Sequence, residues 1–202
     1  ILHSAHEFKT AAEAFRRLRS LITGAPHLAS MVERITTAAG NEAIELTTGQ
    51  RLRYVARSKG SGRGFSADKV ILDEAYALSD DEMAALLPTM ATRPEAQLVY
   101  TSSAGMESSA HLRSVRDRGR KGEDPTLVYL EWGGLAPCPD RCTHALDSMD
   151  CAFDDPAVWR ANNPSLDIQD HGIPGRHVAN ERRAMSPEKF ARERLGLWDE
   201  AL

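Results

Sequence analysis

The fold of this chain is decided by residues 69–83, KVILDEAYALSDDEM. Residues 70–72 are all aliphatic, which is typical of a strand that is covered on both faces of a sheet. This strand runs directly into two acids, Asp73 and Glu74. A carboxylate that loses its water without gaining a partner is strongly unfavourable. The pattern therefore predicts that the two acids meet a cation or a reacting group at the end of the strand.

Composition places the chain among ordinary globular proteins. It has 202 residues, of which 42% are apolar and 27% charged, and a net charge of -4. The length suits one domain with a sizeable core, or one domain with a small appendage. This charge gives no general attraction to nucleic acid, so such a contact needs a local basic patch. No apolar run is long enough to span a bilayer, and the odd number of cysteines, three, favours a reducing cytoplasm.

Strand-like and helix-like patterns alternate along the chain. We expect strands at 1–4, 69–72, 96–100 and 126–131, a hairpin over 43–56, a polar loop at 137–155, and helices at 8–22, 27–35, 79–87, 109–121, 156–161, 175–185 and 187–195. This alternation predicts an α/β fold with a mostly parallel sheet flanked by helices. Ligands of such sheets bind at the carboxyl ends of the strands.

Two neighbouring strand ends carry candidate chemistry. An aliphatic strand followed by Asp-Glu is the Walker B pattern of nucleotide hydrolases, in which the first acid holds Mg²⁺ and the second polarises the attacking water. A plain strand end followed by solvated acids is the alternative. The next strand ends in Thr101, Ser102 and Ser103, which suit a sensor of the γ-phosphate or a simple hydroxyl-rich turn. The two strand ends together favour a nucleotide site.

Six segments, in order over nearly the whole chain, carry a resemblance to a known family. They are SAHEFKTAAEAF, GSGRGFSADKVILDEAY, LVYTSSAG, LVYLEW, DPAVWRANNPSL and EKFARERLGLWDE. In this combination the sequence resembles the large terminase subunit of tailed bacteriophages, the motor that packs DNA into the capsid. The WRANNPSL and FARERLGLW segments are the most specific. The resemblance implies a P-loop NTPase-like sheet of the ASCE class and ATP hydrolysis coupled to translocation of double-stranded DNA into the procapsid.

The resemblance also implies residue roles. Asp73 is expected to bind the Mg²⁺ that accompanies ATP, and Glu74 to act as the catalytic base. Thr101, Ser102 and Ser103 are expected to form the motif that couples hydrolysis to DNA movement.

Arg63, in a glycine-rich loop before the acidic pair, is the best candidate for an arginine finger. A solvated loop arginine is the alternative reading of Arg63, and Arg57 is a weaker candidate for the same role.

The chain departs from the family pattern at the phosphate loop. No GxxxxGK(S/T) sequence occurs among its residues. In the family this loop precedes SAHEFKT, and a nuclease follows LGLWDE. We therefore expect this chain to be a middle piece of such a protein, without the first strand and the nuclease. Such a piece is expected to bind ATP weakly by itself, because the loop that binds the phosphates is missing. Residues 1–135 are expected to form a partial ATPase core and 136–202 a linker or lid-like helical segment. A missing central strand predicts open edges, hence rearrangement, self-association or pairing with another segment.

The implied setting is the cytoplasm of a bacterial host, and transiently the vertex of the procapsid, with no membrane contact. The implied partners are double-stranded DNA, the portal protein, the small terminase subunit and further copies in a ring. The basic stretch 111–121 is a candidate for DNA phosphates or a solvated face. A helicase-like ATPase, a non-enzymatic prophage remnant and an interaction module remain as alternative functions.

All three cysteines lie close to a histidine in the polar loop. Cys138, Cys142, His144 and Cys151 could assemble a zinc site, since zinc binds nitrogen and sulfur ligands. Their spacing, C-x3-C-x-H-x6-C, matches no common zinc finger. The sequence pattern therefore favours a loop without zinc.

Overall fold

A computed structural model describes residues 1–57, 66–138, 142–146, 148 and 150–199 of the chain. It divides into two compact units, Ile1–Ser102 and Ser103–Leu202. The predicted division into 1–135 and 136–202 follows sequence motifs rather than packing, and it stays a prediction.

The first unit is built on a six-stranded sheet. Its strands are β1 Leu2–Ala5, β2 Val32–Thr36, β3 Ala43–Leu46, β4 Arg51–Ala56, β5 Lys69–Leu72 and β6 Gln97–Tyr100. They lie in the order β2-β3-β4-β1-β5-β6. The four strands from β4 to β6 in this order are parallel, and β2 and β3 pair antiparallel. The predicted α/β class with a mostly parallel sheet is confirmed.

Two apolar clusters join helices to this sheet. Val70 and Leu72 of β5 are fully buried and pack with Met83 and Leu86 of helix α3, Asp80–Leu86. The second cluster packs helix α1, Phe8–Gly24, against β3 and β4 through Phe15, Ile44 and Tyr54.

Ser79 begins α3 with the predicted capping box, because its hydroxyl accepts from Glu82 N and the Glu82 carboxylate accepts from Ser79 N. This local pattern was sufficient to place the start of the helix.

The predicted helix over 27–35 is wrong. A short helix, α2, covers only Pro26–Ala29, and β2 follows from Val32. In β2, Ile35 lies opposite Ile44 of β3. Pairing with the next strand therefore overrides the local helical pattern, which is common for short segments.

The order of strands places β6 at one edge of the sheet. Within the described residues, its outer side has no strand partner. The expected rearrangement or self-association through an open edge stays a prediction.

The described part of the second unit contains four α-helices. These are α4 Ala110–Lys121, α5 Pro156–Asn162, α6 Gly175–Ala184 and α7 Pro187–Leu195, and they confirm the helices predicted in this half of the chain. The core of α5, α6 and α7 is formed by Phe153, Trp159, Val178, Phe190 and Leu195. None of the helices in the described ranges is both long and apolar enough to cross a membrane.

The predicted strand over 126–131 is also wrong. The described residues there pair with no strand, and Val128 and Leu130 are 86% and 70% exposed. Tyr129 instead lies against Gly119 of α4, and Arg120 forms a bidentate ion pair with Glu131. The alternating pattern indicates an extended segment, but a strand also needs a partner, which no local pattern can supply.

Candidate active site

The ends of three parallel strands are joined by backbone hydrogen bonds in the first unit. Beyond the end of β5, Asp73 N donates to Ser4 O of β1 at 2.9 Å, and Ala75 N donates to Thr101 O after β6 at 3.1 Å. Because the strands are parallel, all three ends lie at the carboxyl edge of the sheet. The acidic pair and Thr101 are therefore brought to one edge of the sheet.

The Asp73 carboxylate is fixed in position by its neighbours. Thr101 Oγ1 donates to Asp73 Oδ1 at 2.8 Å, and Glu74 N donates to the same oxygen at 3.0 Å. The other oxygen, Oδ2, lies 3.9 Å from His3 Nε2, and the side chain is 35% exposed. An oriented and accessible carboxylate is the donor that Mg²⁺ prefers, so the residues present fit a magnesium ion held by Asp73 and water.

Glu74 adopts a conformation that is rare for its residue type. Its φ is 54° and its ψ is 46°, in the left-handed region, which costs a residue with a side chain about 1–2 kcal/mol. Its carboxylate lies at the start of α1, accepting from Thr10 Oγ1 at 3.2 Å and from Glu7 N at 3.4 Å. Such strained residues are concentrated at functional sites, where surrounding contacts hold them in place.

Arg57, which directly follows β4, holds the strained turn. Its Nη1 donates to Ser4 O at 3.1 Å and to Asp73 O at 2.6 Å, while Nη2 donates to Glu74 O at 2.9 Å. Burial lowers the pKa of Arg57, and the nearby carboxylates oppose that shift. Its terminal nitrogens bond these backbone carbonyls, so in this structure Arg57 positions the acidic turn. Sequence reasoning missed this role because it depends on the order of the strands.

His3 of β1 is a second residue that sequence reasoning missed. Its ring lies between Asp73 and Tyr54, with the Tyr54 ring centroid 5.2 Å away. Burial lowers the pKa of His3, with Asp73 opposing the shift, so the ring is neutral near pH 7. Its Nδ1 is buried and has no hydrogen-bond partner among the described residues. The adjacent register of β1 and β5, with His3 opposite Ile71, is what places it beside the acids.

The remaining predicted site residues differ in their surroundings. Ser102 Oγ accepts from Tyr76 N at 2.9 Å, which ties the end of β6 to the acidic turn. Ser103 belongs to the second unit, where its hydroxyl donates to Glu193 Oε2 at 3.4 Å. Arg63 lies outside the described residues, so its role as an arginine finger stays a prediction.

The basic stretch proposed for DNA contacts is largely engaged within its own unit. Arg116 is buried, with its guanidinium 4.2 Å from the Trp198 ring centroid, and Arg120 pairs with Glu131. Arg113 donates to the carbonyls of Met106 and Glu107. A DNA contact through these arginines would compete with their existing contacts.

The four candidate zinc ligands come together in the second unit. One ligand atom from each of Cys138, Cys142, His144 and Cys151 lies within 4.8 Å of the others. Their spacing along the chain provided no reason to expect this convergence.

No protein-family model matches the chain, and no curated protein matches its sequence. Comparison of the fold with solved structures gives a different result. The crystal structure of the HK97 bacteriophage large terminase matches with a TM-score of 0.74 and 19% identity, over 98% of this chain and 39% of that chain. The large terminase from a thermophilic bacteriophage matches with a TM-score of 0.57 and 12% identity, over 98% of this chain and 40% of that one. This is the fold of bacteriophage large terminases.

At this level of identity the large-terminase fold is what the comparison establishes. The resemblance drawn from the sequence motifs is confirmed at that level. The chain spans about two fifths of the length of either large terminase.

Proposed function

We propose that this chain supplies ATPase residues of a phage DNA-packaging motor. The observation that carries the proposal is the Thr101 Oγ1 to Asp73 Oδ1 hydrogen bond at the carboxyl edge of a sheet with the large-terminase fold. This hydrogen bond joins Asp73, which would hold Mg²⁺, to the end of β6, which would respond to the nucleotide.

Asp73 is the residue whose carboxylate would hold the magnesium ion. Thr101 and the Glu74 backbone N–H both bond Oδ1, so the carboxylate enters the reaction already oriented. Bound Mg²⁺ and ATP would supply charge neutralisation and the phosphoryl group to be transferred. His3, neutral and next to Oδ2, limits the orientations of the same carboxylate.

Glu74 polarises the attacking water. Its backbone conformation directs the chain sharply away from β5, and Arg57 holds the carbonyls on both sides of the turn. The base is thus positioned by its backbone and by the hydrogen bonds that its carboxylate accepts from Thr10 Oγ1 and Glu7 N. Such positioning lowers the reorganisation needed in the transition state.

Coupling runs through the end of β6. Thr101 bonds Asp73, and Ser102 bonds the backbone of Tyr76, so a change at the acidic turn alters both contacts of β6. We propose that this change in the contacts of β6 is the first step by which hydrolysis moves double-stranded DNA. The portal protein, the small terminase subunit, a ring of copies and an arginine finger at Arg63 complete the proposed motor.

The test is ATP turnover by the complete gene product that contains this chain. Asp73→Asn should reduce Mg²⁺-dependent turnover by about 100-fold or more, as loss of a preorganised charged group does in other enzymes. Asp68→Asn, at the opposite end of the same strand, is the matched control and should retain turnover. Turnover that is unaffected by Asp73→Asn would overturn the proposal.

The isolated chain provides a second test. Its 202 residues contain no GxxxxGK(S/T) sequence, so we expect only weak ATP binding by calorimetry, because the backbone cradle and lysine for the phosphates are not in this segment. A saturable micromolar affinity would contradict that expectation.

A further inference from the structure

Four metal-binding side chains converge in a loop that the proposed ATPase chemistry does not use. They come from positions 138, 142, 144 and 151, and their donor atoms lie within 4.8 Å of one another. All three cysteines are free thiols. Three sulfurs and one imidazole nitrogen form the donor set of structural zinc sites.

The distances suit a tetrahedral ion. Cys138 Sγ lies 3.6 Å from His144 Nδ1, and Cys151 Sγ lies 3.8 Å from the same nitrogen. In a tetrahedral zinc site, with Zn–S of about 2.3 Å and Zn–N of about 2.1 Å, neighbouring ligand atoms lie about 3.6–3.8 Å apart. These two pairs already have the spacing of ligands on one ion, and the other donor pairs lie within 4.8 Å.

One of the sulfurs also receives a backbone hydrogen bond. Ala152 N donates to Cys138 Sγ at 3.3 Å. Donors of this kind orient thiolate ligands and spread their charge in metal sites.

The surrounding shell fixes the ligands to the helical core of the second unit. The His144 ring stacks on Phe153 with centroids 4.2 Å apart, and Phe153 packs against Phe190 of α7. Arg182 of α6, only 3% exposed, donates to the carbonyls of His144 and Ala145 and pairs with Asp154. His144 has a φ of 53°, an unfavourable conformation that the shell maintains.

We propose that Cys138, Cys142, His144 and Cys151 bind one Zn²⁺ ion that fixes this loop to the helices α5, α6 and α7. The site is structural, because four protein ligands leave no open position for substrate. This proposal differs from the expectation, based on spacing along the chain, of a loop without zinc. The spacings of zinc fingers apply to ligands that lie on two short turns. Here the fourth ligand, Cys151, lies beside the other three although its spacing along the chain matches no zinc finger.

Metal analysis of tag-free protein, purified under reducing conditions from zinc-supplemented cells, tests the proposal. We expect about one zinc per chain. Cys142→Ser and His144→Ala should lose most of it. His171→Ala, which replaces an exposed histidine of the same unit outside the cluster, should keep it. Wild-type protein with zinc far below one per chain, a disulfide between two of the cysteines, or full zinc content in Cys142→Ser would each overturn the proposal.

Cobalt provides a readout that does not depend on how the variants fold. Chelator-treated wild-type protein, titrated with Co²⁺ alone, should show the intense visible bands of tetrahedral thiolate coordination, and Zn²⁺ should abolish them. Removal of the metal should lower the Tm by about 5 °C or more, and Zn²⁺ should restore it. Weak visible bands, as octahedral Co²⁺ gives, would contradict a structural zinc site. A Tm that neither the chelator nor Zn²⁺ changes would contradict it as well.

Discussion

The acidic turn after β5 and the loop that carries the cysteines are both held by an arginine, but only the acidic turn is attached to a sheet. Arg57 donates to the carbonyl of Glu74, and Arg182 donates to the carbonyl of His144. Glu74 and His144 both have positive φ. In each region an arginine thus maintains a strained residue that is a candidate for chemistry.

The difference lies in what else supports the two regions. The acidic turn is joined to β1 and β6 by backbone hydrogen bonds, so parallel strands assemble it. Within the described part of 138–150, the cysteine loop has no helix or strand. Its assembly therefore depends on Arg182, on the packing of His144 and, by our proposal, on zinc. A sheet edge can position chemistry with backbone alone, whereas an irregular loop needs additional fixed contacts.

The largest stability effect is expected at Arg182. Arg182→Met should lower the free energy of unfolding of the second unit by about 3 kcal/mol, because it leaves Asp154 without its partner and two carbonyls without donors. Urea denaturation followed by tryptophan fluorescence measures this, since all three tryptophans lie in Ser103–Leu202. The exposed neighbour Arg183→Met is the control, and equal loss in both variants would contradict the role of Arg182.

A smaller loss is expected at the acidic turn. Arg57→Met should cost about 2 kcal/mol, because three carbonyls lose a charged donor while the strand ladder remains. Urea denaturation followed by far-UV circular dichroism measures the change, with Arg51→Met, exposed at the start of β4, as the control. If Arg57→Met were more damaging than Arg182→Met, the comparison between sheet edge and loop would fail.

Glu74 allows the backbone strain to be measured. Glu74→Gly should be about 1 kcal/mol more stable than Glu74→Ala, because both lose the same side-chain contacts but only glycine adopts positive φ without strain. The two midpoints in urea give the difference directly. Equal stability would show that the left-handed conformation at this position is not costly.

The smallest effect concerns the pH dependence from His3. Burial lowers the pKa of His3 in the folded chain from its ordinary value of 6.5. As the pH falls below 6.5, the unfolded chain takes up the proton first, so stability declines until the pH reaches the lowered pKa of the folded state. Above pH 6.5 the full contribution of His3 to the free energy of unfolding is present. His3→Gln should show a shallower loss of stability over this window in urea titrations, and an unchanged slope would contradict the assignment.

Much of the strand-end site could be predicted from the sequence because its determinants are local. The aliphatic run, the acids after it and the capping box at Ser79 each lie within a few residues. The roles of Arg57 and His3 could not be predicted, because they arise from the neighbouring positions of β4, β1 and β5.

The failures have the same physical origin. Residues 27–35 carry a helical pattern, but pairing with β3 makes a strand of Val32–Thr36. Residues 126–131 alternate as a strand does, yet have no strand partner in the described residues. The cysteine cluster depends on an irregular loop that brings Cys151 close to the other three ligands, and the spacing along the chain does not predict this proximity.

The central claim is that the acids after β5 perform nucleotide chemistry, and ATP affinity measured together with turnover tests it most directly. In the complete gene product, Glu74→Gln should keep ATP affinity within a few-fold while turnover falls by about 100-fold or more, since the base is lost but the binding site is kept. Glu33→Gln, on the exposed face of β2, should change neither quantity. Turnover by Glu74→Gln equal to that of the unmodified protein would contradict the account.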